Sequence, residues 1–291
     1  MDKKNYSIGI DVGGTKMAAI LFDGEKIIAD SVLATPKDNL DHFMVMLKAL
    51  IDPLLDKARE IKIKVDGIGL GVAGVMDSGR KKMLHSPNIA IIDGANLTDN
   101  LETLLELPVV MDNDASCFVR AEATLGAGKK YKNIYGIIIG TGIGGGWWFN
   151  GEIYNGAHGG GGEPGETVID FGNGVRLEEA YHKLTQNNPA QLAEEAYRGD
   201  ILAEKTFLEV GSFLGIAFAN IVNLIDPEII VIGGGVVESS GLFLSATKKS
   251  MQKYIDSTEA RKKIKIVKSK LGPMAGAIGA ALLTRNIEHK T

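Results

Sequence analysis

The sequence predicts an α/β protein built of two similar lobes with a cleft between them. Its 291 residues exceed the length of one average domain, which favours two compact lobes. Short runs of β-branched residues alternate with segments of helical periodicity, the pattern of layered α/β folds. A strand, a glycine turn and a second strand occur in that order twice, over residues 6–23 and 134–153. This weak internal repeat predicts that the two lobes resemble each other.

The first half of the chain carries the first of these repeats. Tyr6–Val12 is a predicted strand, the turn follows at Gly13-Gly14-Thr15, and a second strand is predicted over Lys16–Asp23. Apolar residues at helical spacing predict a helix over Leu40–Ile61, which Pro53 is expected to kink or split. The other predicted elements of this half are strands over Val65–Val72 and Val109–Met111 and a helix over about Ala115–Leu125.

The second half repeats the pattern. A strand over Ile134–Ile139 precedes the glycine turn Gly140–Gly146, and a strand over Trp147–Ile153 follows it. A glycine-rich loop then spans Gly156–Gly165. The remaining predicted elements are helices near Leu177–Leu184, Ala190–Tyr197 and Ile201–Leu224, a strand over Ile229–Ile232 ahead of Gly233-Gly234-Gly235, a strand over Ile264–Val267 and a helix over about Met274–Arg285.

The composition excludes several classes of protein. A formal net charge of −4 gives no basic surface for nucleic acid, so no nucleic-acid partner is expected. The single cysteine, Cys117, rules out an intrachain disulfide and leaves no thiolate cluster for zinc. The N-terminus lacks the apolar segment of a signal peptide, and no window reaches the ~18 uninterrupted apolar residues of a spanning helix. We therefore expect a cytoplasmic protein without a membrane partner.

Glycine is in excess, at 37 of the 291 residues against a usual ~7%. Glycine turns let backbone N–H groups approach an anion without an intervening Cβ. The first turn is not a Walker A loop, because Thr15 and Lys16 stand in the reverse order and a strand follows. Gly140, Gly142 and Gly145 match G-x-G-x-x-G, but a Rossmann site requires a helix next and here a strand follows.

Two glycine hairpins, one in each lobe, could hold the phosphates of a nucleotide between them. The first hairpin also supplies Asp11, a carboxylate suited to Mg²⁺ or to its water shell, because hard cations prefer oxygen ligands. The alternative is that both are tight β-hairpins with no ligand.

Asp112-Asn113-Asp114 lies at a strand end, immediately before a helix. Asp and Asn are favoured at helix N-caps, so the triplet could serve only as a cap. The carboxyl end of a strand in an α/β sheet is, however, where ligands bind. Both interpretations remain open from the residues alone.

Several of these segments resemble the ROK family of sugar kinases, within the actin-like ATPase superfamily. IGIDVGGTK over Ile8–Lys16 is similar to the first phosphate motif of these kinases, IGTGIGGG over Ile139–Gly146 to the second, and Gly233–Gly235 to their adenosine motif. The segments that resemble the ROK family in particular are Asn150-Gly151 to Tyr154, Gly156-Ala157-His158-Gly159, Gly162-Glu163-Pro164-Gly165, Ser86-Pro87-Asn88 and Ala275-Gly276-Ala277 to Ala281. The resemblance covers nearly the whole chain.

The resemblance implies two ribonuclease H-like lobes, residues 1–114 with 275–291 and residues 115–274, on either side of a central cleft. It also implies ATP as the phosphoryl donor and Mg²⁺, held by Asp11 through water. The residues it assigns to the nucleotide are Asp11, Gly13, Gly14, Thr15, Lys16, Gly140, Thr141, Gly142, Gly234 and Gly235.

For the sugar, the resemblance makes Asp114 the general base and assigns substrate contacts to Gly74, Asn88, Asn113, Glu163, Glu166 and Glu178. This sequence departs from the family pattern at Glu166, where the family usually places a histidine that binds both sugar and a structural zinc. The family's zinc cysteines would fall near residues 171–176, and none is present. No zinc site is therefore expected, and whether Glu166 binds sugar in place of the histidine stays open.

The implied activity is phosphorylation of a hexose hydroxyl, the 6-OH of glucose or of a related hexose or N-acetylhexosamine, by a protein that forms homodimers. The sequence does not identify the sugar. Two alternatives are a sugar-binding regulatory protein without catalysis and a kinase that uses polyphosphate as donor. A ROK transcriptional repressor is disfavoured, because the first predicted strand begins near Tyr6 and leaves no room for a DNA-binding segment.

Overall fold

The computed structural model describes residues 5–287, apart from the side chain of Asn286. The chain divides into two compact units. The first unit comprises the residues up to Gly126, the segment Asn155–Gly160 and the residues from Pro273 onward. The second comprises Ala127–Tyr154 and Gly161–Gly272.

The strands are numbered in chain order. They are β1 Ser7–Val12, β2 Lys16–Phe22, β3 Ile27–Ala34, β4 Gly67–Val72, β5 Val75–Met76, β6 Met83–His85, β7 Val109–Asn113, β8 Asn133–Ile139, β9 Ile143–Phe149, β10 Glu152–Tyr154, β11 Val168–Asp170, β12 Val175–Arg176, β13 Ile229–Gly233 and β14 Lys265–Lys268.

The helices are numbered in the same way. They are α1 Leu40–Glu60, α2 Leu97–Leu105, α3 Asp114–Thr124, α4 Leu177–Thr185, α5 Pro189–Tyr197, α6 Ile201–Ile225, α7 Leu244–Tyr254, α8 Thr258–Lys263 and α9 Ala275–Leu283. Short 3-10 helices lie at Ala90–Ile92, Pro164–Glu166, Gly235–Leu242, Gly272–Met274 and Thr284–Asn286.

Each unit is built on a five-stranded sheet of the same design. In the first unit the strand order is β3-β2-β1-β4-β7, and in the second it is β10-β9-β8-β13-β14. Each sheet begins with an antiparallel meander of three strands, and two parallel strands follow on the other side of its first strand. The internal repeat predicted from the sequence is thus confirmed as a repeat of topology.

Parallel pairing brings the polar strand ends of the first unit together. Asp11 on β1 is in register with Gly71 on β4, which is in register with Asp112 on β7. The carboxyl ends of parallel strands meet at one edge of a sheet, so the triplet at 112–114 and the first glycine turn lie at the same edge.

Helix α9 packs unusually close to the first sheet and to α3, because glycines replace side chains at the contacts. A Cβ on Gly9 of β1 would lie 2.0 Å from the Ala277 carbonyl oxygen, and one on Gly69 of β4 would lie 1.7 Å from that of Ala280. On the helix itself, a Cβ on Gly279 would lie 1.7 Å from the Cys117 carbonyl oxygen of α3. These distances leave no room for any side chain at the three glycines.

The core of the second unit is centred on α6. Among the described helices, α6 is the one long and apolar enough to cross a membrane by length and composition, with a mean hydropathy of 1.7 in its most apolar window. Half of that window is buried, and Phe207, Leu214 and Phe218 pack within the core of the unit. The core helix of a globular unit can have the same length and composition, so this property of α6 is not evidence for a membrane-spanning segment.

The structure contains elements that were not predicted, among them β3, α2, α7 and α8, and it differs from the predictions at three further places. Pro53 lies inside α1, which continues unbroken to Glu60 because Leu50, Ile51 and Leu54 are buried on its apolar face. The second glycine turn is shorter than predicted, since β9 already begins at Ile143.

The third difference is the limit of the first unit. It was predicted to end at 114, but α3 belongs to this unit because it packs against α9. The unit also takes in the segment Asn155–Gly160.

We expect Gly279→Ala to lower the free energy of unfolding by about 3 kcal/mol, since overpacking against rigid backbone forces α3 and α9 apart. Urea denaturation measures this change. Gly241→Ala is the matched control, because Gly241 has an ordinary φ and open space around its Cβ position. Equal stabilities of the two variants would contradict the packing described here.

Candidate active site

The first glycine turn joins β1 to β2 in the first unit. The Gly13 N–H donates to the Lys16 carbonyl oxygen at 3.0 Å and closes the turn. Thr35, just after β3, donates its hydroxyl to the Gly13 carbonyl oxygen at 2.6 Å and its N–H to the Thr15 carbonyl oxygen at 3.0 Å. The carbonyl oxygens of the turn therefore accept hydrogen bonds from within the protein, and these bonds fix the shape of the turn without a ligand.

Asn88 lies against this turn. A Cβ on Gly14 would lie 2.8 Å from the Cβ of Asn88, so only a glycine fits at position 14. The structure thus places one of the predicted sugar-binding residues beside the predicted phosphate turn.

Two partly buried carboxylates, Asp11 and Asp114, interact electrostatically in the first unit. Burial, and then the charge of Asp114, raises the pKa of Asp11 to about 7, while Lys16 opposes this shift. Burial raises the pKa of Asp114 to about 6, against the opposing effect of hydrogen bonds from backbone N–H groups. Asp11 also borders the start of α9, because a Cβ on Gly276 would lie 2.5 Å from its Oδ2. Raised carboxyl pKa values of this size are typical of groups that exchange protons near neutral pH.

Asn113 is the N-cap of α3. Its side-chain oxygen accepts hydrogen bonds from the N–H groups of Ala115 at 2.9 Å and Ser116 at 3.2 Å. Its Nδ2 donates to the Gly74 carbonyl oxygen at 3.3 Å. The capping interpretation of the triplet is confirmed, and the cap fixes Asp114 as the first residue of the helix.

Asp112 is the centre of a buried ion-pair cluster that sequence analysis missed. Its side chain is 1% exposed, and it pairs with Arg80 and, at 3.2 Å, with Nη2 of Arg120. Its Oδ1 also accepts the N–H of Asn113 at 2.8 Å. A carboxylate buried this deeply requires partners, and these partners tie β7 to α3 immediately before Asp114.

A cavity of about 250 Å³ opens beside this cluster, within the first unit. Of the predicted sugar-binding residues, Gly74 and Asn113 line it. The other lining residues are Met76, Asp77, Ser78, Arg80, Asp112, Asn155, Gly156, Ala157, His158 and Gly159.

In the second unit, the glycine turn at Gly140–Gly142 joins β8 to β9. The Gly140 N–H donates to the Gly142 carbonyl oxygen at 3.0 Å. A second glycine pair lies next to it, because a Cβ on Gly234 would lie 2.3 Å from the Ile139 carbonyl oxygen, and Gly234 has a φ of +91°. Two of the glycine clusters of the sequence are thereby brought together at the ends of β8 and β13.

A largely apolar cavity of about 390 Å³ borders these two glycine clusters. Its lining residues are Gly140, Pro189, Ala190, Ala193, Glu194, Tyr197, Gly235, Val236 and Ser239. An apolar recess with backbone N–H groups at one end suits a flat heteroaromatic ring joined to phosphates.

The three glutamates predicted to bind sugar differ in their surroundings. Glu163 lies near Tyr135, whose pKa is raised by burial and then by the charge of Glu163. Glu166 forms an exposed ion pair with Arg176 at 2.6 Å. Glu178 points at the second glycine turn, where its Oε2 accepts the N–H of Ile143.

Sequence reasoning missed two further groups at this turn. Tyr181 and His182 on α4 both contact it through hydrogen bonds to its carbonyl groups. Their spacing of three and four residues from Glu178 places all three on one helix face, which is a signal that the sequence does contain. The ion pair between Arg80 and Asp112 carried no such signal, since the two residues lie 32 positions apart.

Two sheets with one strand order, each carrying a glycine turn between its first two strands, define an α/β protein of the actin-like ATPase fold. The fold class predicted from the sequence is confirmed. The chain belongs to the ROK family, whose family model matches residues 7–287.

Two relatives match this chain over nearly its whole length. A glucokinase of Halalkalibacterium halodurans is 30% identical over 326 residues, covering 98% of this chain and 96% of that protein. The N-acetylgalactosamine kinase AgaK of Shewanella sp. (strain ANA-3) is 30% identical over 307 residues, covering 96% of this chain and 97% of that protein.

Solved structures match in the same way. A ROK family glucokinase from Streptomyces griseus, in complex with glucose and AMPPNP, superposes with a TM-score of 0.81 at 27% identity. This match covers 97% of this chain and 99% of that one.

We expect Asp114→Asn to raise the Tm at pH 8 by about 3 °C and to raise it less at pH 5. The pKa of Asp114 is raised in the folded state, so folding binds a proton between the ordinary carboxyl pKa and about 6. Stability from this group is therefore present at low pH and is lost as the pH rises through about 6. Differential scanning calorimetry at both pH values measures the difference, and Asp30→Asn, on exposed β3, is the control. A Tm gain for Asp114→Asn that is the same at both pH values would contradict the raised pKa.

Proposed function

We propose that this chain is an ATP-dependent hexose kinase that transfers the γ-phosphoryl group of MgATP to the 6-OH of glucose or of a related hexose or N-acetylhexosamine. Asp114 is its general base. The observation that carries this proposal is the pair of Asp11 and Asp114, two carboxylates with raised pKa values beside a preformed glycine turn. The kinase names of the relatives support the same reaction class.

Asp114 has the properties that a base for a sugar hydroxyl needs. A pKa of about 6 keeps its carboxylate mostly ionised at pH 7, yet close enough to neutrality for it to accept a proton as the bond to phosphorus forms. Its place as the first residue of α3 is fixed by the Asn113 cap and by the cluster around Asp112. A rigidly placed base is what phosphoryl transfer asks of a protein, since alignment supplies most of the catalysis.

The donor binds at the glycine turns and the apolar recess. Thr141 and Gly142 hold phosphate oxygens through backbone N–H groups, while the Gly140 N–H closes the turn by donating to the Gly142 carbonyl oxygen. The recess bordered by Gly140 and Gly235 takes the adenine ring. Because Gly234 lacks a Cβ, the end of β13 lies close to the end of β8, so the phosphate turn and the adenine recess adjoin each other. Gly13, Gly14, Thr15 and Lys16 form the corresponding turn of the first unit.

The oxygen ligand that the first turn offers suits Mg²⁺. Asp11 offers a carboxylate oxygen, and Mg²⁺ in nucleotide sites is commonly held by one or two carboxylates together with phosphates and water. Among the described residues, no group of three or more His, Cys, Asp or Glu side chains could hold a metal ion, so most of its ligands would come from the nucleotide and water. The ion neutralises phosphate charge when bound; Asp11 orients it.

The sugar is clamped by polar groups from several loops. Gly74 and Asn113 share one cavity, and the hydrogen bond from Asn113 Nδ2 to the Gly74 carbonyl oxygen leaves its second Nδ2 hydrogen for a sugar hydroxyl. Asn88, Glu163, Glu166 and Glu178 complete the proposed set. Glu166 would act in its ion pair with Arg176, which holds its carboxylate in one orientation.

The proposal includes a cytoplasmic homodimer that binds neither nucleic acid nor membrane. A sugar-binding regulator without catalysis, and a kinase that uses polyphosphate, are the alternatives. The ionisable Asp114 favours catalysis, because binding alone does not require a carboxyl group tuned to neutral pH.

Turnover of one sugar is the expected result of a coupled ADP-release assay with MgATP and a panel of hexoses and N-acetylhexosamines. Asp114→Asn should lower kcat by at least about 10³-fold and change the sugar Kd less than threefold. Polyphosphate replaces ATP in a parallel series. Sugar binding without turnover from either donor would favour the regulator, and equal losses of kcat and sugar affinity would argue against Asp114 as base.

The pH dependence of kcat/KM for the sugar gives an independent check. Because Asp114 must be ionised and its pKa is raised to about 6, the rate should fall about tenfold per pH unit below pH 6. The measurements use saturating MgATP, so that the ionisation of Asp11 does not contribute to the acid side of the pH profile. An acid limb centred near pH 4, the ordinary carboxyl value, would mean that another group limits the rate.

A further inference from the structure

The β5–β6 hairpin, residues 75–85, is closed by its own hydrogen bonds. The Asp77 N–H donates to the Lys82 carbonyl oxygen at 3.0 Å, and the Asp77 carboxylate accepts the N–H groups of Lys81 and Lys82, both at 2.8 Å. Arg80 lies in this turn with a φ of +52°, a left-handed conformation that is uncommon for residues other than glycine. An unfavourable backbone conformation of this kind often marks a residue whose side chain has a function.

The Arg80 guanidinium reaches from the hairpin to the buried carboxylate of Asp112. Its Nη1 donates to Asp112 Oδ1, and the same oxygen accepts the N–H of Asn113 at 2.8 Å. Arg120 pairs with the other oxygen through Nη2 at 3.2 Å, while its buried Nε has no hydrogen-bond partner in the described part of the chain. Arg120 alone therefore satisfies Asp112 incompletely, and a carboxylate that is 1% exposed needs the second guanidinium.

Asn113 is attached to this hairpin region at two points. The carbonyl oxygen of Gly74, which directly precedes β5, accepts a hydrogen bond from Asn113 Nδ2 at 3.3 Å. Arg80 holds the backbone N–H of Asn113 through the shared oxygen of Asp112. Gly74 is itself fixed, because its φ is +138° and a Cβ there would lie 2.3 Å from the His85 carbonyl oxygen of β6. The side chain and the backbone of Asn113 thus both depend on the hairpin.

Asn113 transmits this attachment to the proposed base. Its Oδ1 caps α3 by accepting the N–H groups of Ala115 and Ser116, and Asp114 is the first residue of that helix. A shift of Asn113 would therefore displace a proposed sugar contact and the proposed base together. Arg80 and Asn113 also line the same cavity of about 250 Å³, so the hairpin borders the space in which Asn113 is accessible to a ligand.

We propose that Arg80 is a positioning residue for the sugar acceptor, because through Asp112 it holds Asn113, and with it Asp114, in place. This inference rests on the proposed kinase function and extends it from the residues that bind sugar to the hairpin that supports them. A displacement of about 1 Å at a reacting group costs on the order of 10²-fold in rate. Loss of the Arg80 contact should therefore weaken the binding and use of sugar and leave nucleotide binding unaffected.

The first test measures binding of glucose, N-acetylglucosamine and MgAMPPNP by calorimetry. We expect Arg80→Gln to raise the sugar Kd about tenfold or more and to lower kcat as much, with the MgAMPPNP Kd within about twofold of the wild type. Arg80→Lys keeps a cation and should recover most of the loss. Lys81→Gln removes the same charge from the same hairpin, where Lys81 forms an exposed ion pair with Asp99, and as the matched control it should change neither affinity. An unchanged sugar Kd in Arg80→Gln, or equal losses of sugar and nucleotide affinity, would overturn the proposal.

A double-mutant cycle with Asp112→Asn separates positioning from direct contact with the sugar. If Arg80 acts through Asp112, Arg80→Gln should change the sugar Kd less than about twofold in the Asp112→Asn background. A loss that persists at full size in that background would mean that Arg80 binds the sugar itself, and the proposal would be wrong. Circular dichroism checks that each variant is folded.

Hydrogen exchange gives a readout that needs neither sugar nor the Asp112 variant. The N–H groups of Ala115 and Ser116, capped by Asn113, should exchange about tenfold faster in Arg80→Gln than in the wild type, and at the wild-type rate in Lys81→Gln. Unchanged exchange in Arg80→Gln would overturn the positioning role. A wild type that transfers no phosphoryl group to any sugar defeats the kinase proposal, and the exchange comparison still decides whether Arg80 positions the cap.

Discussion

The close approach of backbone to backbone at glycines is the constraint on which the first unit depends. Helix α9 can reach β1, β4 and α3 only because Gly9, Gly69 and Gly279 carry no Cβ, which would lie 2.0 Å or less from a carbonyl oxygen at each position. This packing brings the start of α9 against Asp11 and fixes α3 beneath the sheet edge. Because Gly276 of α9 lies directly against the Asp11 carboxylate, this helix contributes to the burial that raises the pKa of Asp11. The packing of one small-residue helix thus affects the electrostatics around Asp11.

The second unit uses the same constraint at the edge of its sheet. Gly142 and Gly165 leave space for the Glu178 carboxylate, and Gly234 lets β13 end close to β8. In both units the turn after the first strand is held by side chains from elsewhere, Thr35 in one and the face of α4 in the other. Preorganised N–H groups are worth more to a reaction than flexible ones, because no reorganisation is needed when charge develops.

Local patterns predicted most of the elements well. Period-2 and period-3.6 apolar spacing located the sheet strands that carry the site and the helices α4 to α6, and the glycine clusters located both turns. The two-unit repeat and the family resemblance were also correct. The errors share one cause. Pro53 was expected to kink or split α1, which is not split, and α3 was assigned to the second lobe. Neither the burial of the α1 face nor the contact between Gly279 and Cys117 is visible in a local window.

The sequence by itself determined the class of protein, because strand spacing, glycine turns and the order of motifs are local features that do not depend on tertiary contacts. It also identified Asp114 as a residue of interest and Asn113 as either cap or ligand. Tertiary structure alone decided what surrounds them. The pairing of Asp112 with Arg80 and Arg120, the raised pKa of Asp114 and the turning of Glu178 toward Ile143 all depend on groups far apart in the chain. Burial and charge act through space, so these properties arise only when the fold brings such groups together.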